Sequence, residues 1–72
     1  MSFAQYLFKY VNVVDIWGNE FKRWYVMTFT DRTDNLDIYD RDEDSIGIKP
    51  GKDVKYGVIL YASEIAHIEI CD

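Results

Sequence analysis

Polar and apolar residues alternate most regularly over Glu20–Thr30, EFKRWYVMTFT. One parity carries Phe21, Tyr25, Met27 and Phe29, interrupted by Arg23. The other carries Trp24 and Val26 among Glu20, Lys22, Thr28 and Thr30. A period of two, rich in aromatic and β-branched residues and free of Pro and Gly, predicts a strand with one well-buried face. At about 3.3 Å per residue it would extend roughly 35 Å, so in a short chain it must bend and can serve two sheets at once, as in the closing of a small barrel.

The flanking segments extend the pattern. Phe3, Tyr6 and Leu7 at i, i+3, i+4, with Ser2 and Gln5 placed as a capping box, predict a short N-terminal helix. Phe8–Trp17 reads as the first strand, and Gly18-Asn19 as the hairpin turn into the second. The polar run Thr30–Asn35 predicts a turn. Leu36, Ile38 and Asp40 then alternate with Asp37 and Tyr39 as a short third strand. Asp40–Lys55 reads as a long hairpin connection in which Ile46 and Ile48 extend a strand, with a Pro50-Gly51 turn. Tyr56–Ala62 is an apolar fourth strand, Ser63-Glu64 a tight break, and Ile65–Cys71 a fifth strand.

Seventy-two residues make one domain, 1–72. A chain of this size buries only about 60% of its unfolded surface, so it needs a rich core or association with other subunits. It is 49% hydrophobic and 17% aromatic, more than so small a core encloses. For Trp17, Trp24, Tyr6, Tyr10, Tyr25, Tyr39, Tyr56 and Tyr61 two readings stand side by side: several half-buried over the barrel, or some belonging to a subunit interface or binding face. The net charge of −5 counts against a protein held mainly by phosphate contacts.

Chemistry in the usual sense is absent from the pattern. Cys71 is the single cysteine and His67 the single histidine. Neither has a partner at the spacing of a metal site, a dyad or a disulfide, so no enzyme, metal site or cofactor is expected. Asp40, Asp42 and Asp44 match the first ligand positions of an EF-hand loop. The required Gly falls on Ser45 and the closing Glu on Gly51, which leaves a solvated acidic loop suited to a basic protein partner. The N-terminal stretch has neither a positive leader nor a cleavage signature, so a cytoplasmic protein that does not enter the membrane is expected.

Five strands after a short helix, with a long bent second strand and a two-residue break before the fifth, resemble the Sm/LSm small-barrel superfamily. Its first motif is similar to Val11, Val13, Gly18, Phe21 and Val26 followed by Asp31-Arg32-Thr33-Asp34-Asn35-Leu36-Asp37-Ile38. Its second is similar to Val58–Ala62, Ser63-Glu64 and Ile65–Ile68. The resemblance implies an all-β fold, a five-stranded, strongly bent Sm-like (SH3-like) barrel. It also implies a homo-oligomeric ring and single-stranded RNA as ligand. The implied RNA-binding residues are Asp31, Thr33, Asn35 and Tyr61. The pocket is altered, because Thr33 replaces an aromatic or His, and Tyr61-Ala62 replaces a basic residue and Gly. A strand-two Gly gives way to Arg23 or Trp24. Tyr61 falls where the Hfq-like branch has Tyr. The plainer reading of Asp31 and Asn35 is a turn after the second strand.

The last two strands are apolar on both parities and have no Lys or Pro to blunt an edge. A ring is expected to close by pairing the fourth strand of one subunit with the fifth of the next, with Ile59, Tyr61, Ile68 and Ile70 near the junction. The alternative function is a protein–protein interaction module with an acidic loop and no nucleic-acid binding.

Overall fold

The computed structural model describes residues 3–71. Five antiparallel strands, β1 (Tyr10–Asp15), β2 (Glu20–Thr30), β3 (Ser45–Lys49), β4 (Val58–Tyr61) and β5 (Ile65–Ile70), form one sheet. The sheet has the order β4-β3-β2-β1-β5. One α-helix, α1 (Arg32–Tyr39), lies between β2 and β3, and 3-10 turns occupy Phe3–Tyr6 and Ala62–Glu64. The fold is mostly β. Among the described residues β4 pairs with β3 and β5 with β1, so the sheet is open and these two strands are its edges.

The expected N-terminal helix is a 3-10 turn whose Tyr6 is buried, with Phe3 and Leu7 against the same core. Ser2 of the anticipated capping box lies outside the described residues. β1 is shorter than Phe8–Trp17 at both ends. Phe8 has a positive φ of 64°, which breaks the extended run before Tyr10. At the other end the Asp15 carboxylate accepts hydrogen bonds from the N–H groups of Trp17 (3.0 Å) and Asn19 (2.8 Å). It also accepts one from the Asn19 side-chain amide, at 2.9 Å. These bonds, with Gly18 at φ 85°, make the hairpin turn.

β2 has the expected bounds but not the expected faces. Two bulges interrupt its ladders, one opposite Val11–Val13 and one where Val26–Thr28 meets β3. Each adds a residue and reverses the inward parity. Phe21, Trp24, Val26 and Phe29 consequently pair with Val13, Val11, Ile48 and Ile46, all of them buried. The anticipated face of Phe21, Tyr25, Met27 and Phe29 is divided. Val26 is the fully buried member of β2, and Tyr25 looks the other way beside Tyr10.

The third strand is not at Leu36–Asp40. That segment belongs to α1 and its cap, and β3 arises within the span read as a hairpin connection. Local capping outweighs the short alternation. Asp31 accepts the Asp34 N–H at 2.9 Å as N-cap, and Asp40 closes the helix at φ 56°. Leu36, Ile38 and Tyr39 are exposed, so no core contact rewards a strand there. Ile46 and Ile48 are instead fully buried, and with Tyr6, Val11, Val13, Val26 and Leu60 they make the core. No helix among the described residues is long and apolar enough to cross a membrane.

Candidate functional site

Asp31, Thr33 and Asn35 lie where β2 leaves for α1, and Tyr61 ends β4, linked to Asn35 through Ser45. Asp31 and Thr33 lie exposed on the first turn of α1. Asn35, only 1% exposed, is the buried residue of that helix. Its amide nitrogen donates to the carbonyls of Thr30 (3.4 Å) and Glu43 (2.8 Å) and to the Ser45 hydroxyl (3.0 Å). Ser45 in turn pairs across the ladder with Tyr61. Asn35 therefore anchors the corner, tying the end of β2 to the start of β3.

Tyr61 is half-buried, with the Arg41 guanidinium 3.9 Å above its ring centre. Arg41 also pairs with Glu43 at 2.7 Å. The second oxygen of Glu43 accepts the Ser63 N–H at 2.8 Å, and Glu64 accepts the Tyr61 N–H at 2.9 Å. The Ser63 N–H and the Arg41 side chain hold the Glu43 carboxyl below the usual range for glutamate. The hydrogen bond from Glu43 raises the Arg41 guanidinium further. The cation over Tyr61 comes from the helix exit, not from the end of β4. Arg41 and Glu43 were not legible as site residues, since only the folded connection brings them to Tyr61.

The acidic run is largely engaged in folding. Arg32 pairs with Asp42 at 2.8 Å, and its N–H donates to Asp44 at 2.7 Å. Asp31 and Asp44 together satisfy donors of the positive helix end. Among the described residues no group of three His, Cys, Asp or Glu side chains converges to hold a metal ion, and no concave pocket is present. His67 is exposed, 3.8 Å from Glu69.

The candidate interface residues lie on the two edges. Ile59 on β4 is 59% exposed and Ile70 on β5 is 44% exposed, whereas Ile68 packs against the core. Tyr61 belongs both to the β4 edge and to the corner.

A second surface was not anticipated as a unit. Tyr10 and Tyr25 stand opposite each other on β1 and β2 with ring centres 5.3 Å apart. Arg23, Lys49 and Lys52 lie over these rings. The excess of tyrosines was visible in the sequence. Their pairing depends on strand register and on the bulge at Arg23, which has a φ of 56°.

No family model, curated protein or solved structure matches this chain.

Proposed function

We propose that the chain is a cytoplasmic, Sm-like binding module that assembles into a homo-oligomeric ring and engages single-stranded RNA. The observation that carries this reading is the pair of open sheet edges. β4 and β5 end the order β4-β3-β2-β1-β5 and present exposed Ile59 and Ile70. An exposed apolar edge is a template for another strand. Joining β4 of one copy to β5 of the next satisfies both edges head to tail. A closed ring of about five to seven copies follows from the family resemblance. RNA contact in this reading falls on Asp31, Thr33 and Tyr61, while Asn35 acts by holding the corner.

Native mass measurement of the purified protein, followed by titration with short oligouridine and oligoadenine at low salt, tests both parts. A ring that binds either RNA supports the proposal. A monomer, or a ring that leaves both RNAs unbound at high micromolar protein, overturns the corresponding part.

The second reading is a protein-interaction module without nucleic-acid binding. Exposed Leu36, Ile38 and Tyr39 on α1, interleaved with Asp34, Asp37 and Asp40, favour it. Such a face suits a basic partner. A ring without RNA affinity would select this alternative.

A further inference from the structure

The sheet carries a concentration of cationic and aromatic side chains that its overall acidity conceals. Tyr10 and Tyr25 are half-buried cross-strand neighbours, with rings inclined at 56°. The Arg23 guanidinium lies 4.4 Å from the Tyr10 ring centre. The Lys52 ammonium is 5.9 Å from Tyr10 and 5.5 Å from Tyr25, and Lys49 is 6.0 Å from Tyr25. Three of the eight Lys and Arg residues therefore surround two rings.

The backbone places this group. Tyr25 pairs with Tyr10 on one side and Lys49 on the other. At the bulge the Arg23 N–H donates to the Asn12 side chain at 2.8 Å. Lys49 donates to the Lys52 carbonyl at 2.7 Å, which folds the β3–β4 connection over the rings. Asp53 follows Lys52 in the chain, and Glu69 lies 3.5 Å from Asn12.

We infer that Tyr10, Arg23, Tyr25, Lys49 and Lys52 form a stacking platform for single-stranded RNA, separate from the Tyr61 corner. The inference rests on the RNA-binding reading above and moves the main contact to this face. Aromatic rings and a planar guanidinium accept bases of any sequence, and lysines beside them accept the phosphates. Three cations held close repel one another, and a phosphate chain relieves that repulsion. A purely acidic peptide would satisfy the charges but leave the two rings unused.

The test uses the full chain and fluorescein-labelled short oligouridine and oligoadenine, titrated over a range of salt concentrations. Lys49→Gln/Lys52→Gln should weaken binding about tenfold and lower the log–log salt slope by about 1.4, two phosphate contacts at roughly 0.7 each. Tyr10→Leu/Tyr25→Leu should weaken binding about tenfold while leaving the slope in place. Tyr61→Ala, which removes only the corner contact, should weaken binding less than either platform variant. The lysine variant changes one side chain at the end of β3 and one in the β3–β4 connection, outside the core, so it keeps the test valid if the tyrosine variant fails to fold. RNA binding that survives the lysine substitutions and is lost with Tyr61→Ala overturns the platform while keeping the RNA reading. Failure of the unmodified protein to bind RNA overturns both. Equal affinity for a polyglutamate peptide overturns the platform in favour of an acidic protein partner.

Discussion

Asn35 illustrates how much depends on a single buried polar side chain here. Its amide is the shared donor for Thr30, Glu43 and Ser45, so removing it takes the donor from three acceptors around a side chain only 1% exposed. Asn35→Ala should lower the unfolding free energy by about 2 kcal/mol, the cost of orphaned buried acceptors. Denaturant titration checks this; a loss below about 0.5 kcal/mol would mean that water replaces the amide. Asp15 and Glu43 govern the response to acid. Burial alone would raise the Asp15 carboxyl, but the bonds from Asn19, Trp17 and Gly18 outweigh it and hold the group below the ordinary aspartate range. For Glu43 the Ser63 N–H and Arg41 act in the same direction. A folded-state value below the unfolded one stabilises the fold above the ordinary carboxylate range, and that contribution is lost as pH falls through the lowered value. Melting temperature should therefore be flat near neutrality and fall below about pH 4. Asp15→Asn should melt lower at pH 7 and show a shallower acid limb in the same thermal scans. An unchanged acid limb would remove Asp15 from the explanation.

Among the elements, α1 departs furthest from what the residue pattern suggests. Leu36 and Ile38 alternate with Asp37 and Tyr39 as a strand would, yet two caps decide the outcome. Asp31→Ala should cost about 1 kcal/mol through loss of the bond to the Asp34 N–H. Asp40→Gly should add up to about 1 kcal/mol, because Asp40 holds a left-handed φ that glycine adopts without a Cβ penalty. Paired chemical denaturation of the two variants checks both signs; stabilisation by the first or loss from the second would place the helix ends wrongly. β2 was legible down to its bounds, because eleven residues without Gly or Pro leave few alternatives. Its faces were not. A bulge inserts a residue without a sequence mark, and Arg23 and Met27 look like ordinary strand members. Ile46 and Ile48 were visible as strand residues, but their place at the centre of the core emerges only when β2 and β4 flank them. At the proposed corner Asn35 and Tyr61 are linked through Ser45 and Asp31 caps α1, while Arg41 enters by tertiary folding alone.

At the scale of the whole molecule, a small core and two open edges meet in one chain. Tyr6, three valines, two isoleucines and a leucine fill the interior, while Ile59 and Ile70 remain on the edges. Burying such side chains at a subunit junction is worth about 1.5–3 kcal/mol each, enough to make folding and assembly interdependent. If β4 and β5 pair between copies, the melting temperature of the unmodified protein should rise with protein concentration, since association stabilises the folded state by mass action. Ile59→Lys places a charge on the exposed edge, the device by which natural sheets prevent further pairing. It should give a monomer by light scattering, with a far-ultraviolet spectrum unchanged from the parent because Ile59 contributes little to the core. Its melting temperature should lie below that of the parent at high concentration and become independent of dilution. An unmodified protein that is already monomeric at tens of micromolar, with a melting temperature insensitive to dilution, would rule out the ring and leave the apolar edges to a different protein partner.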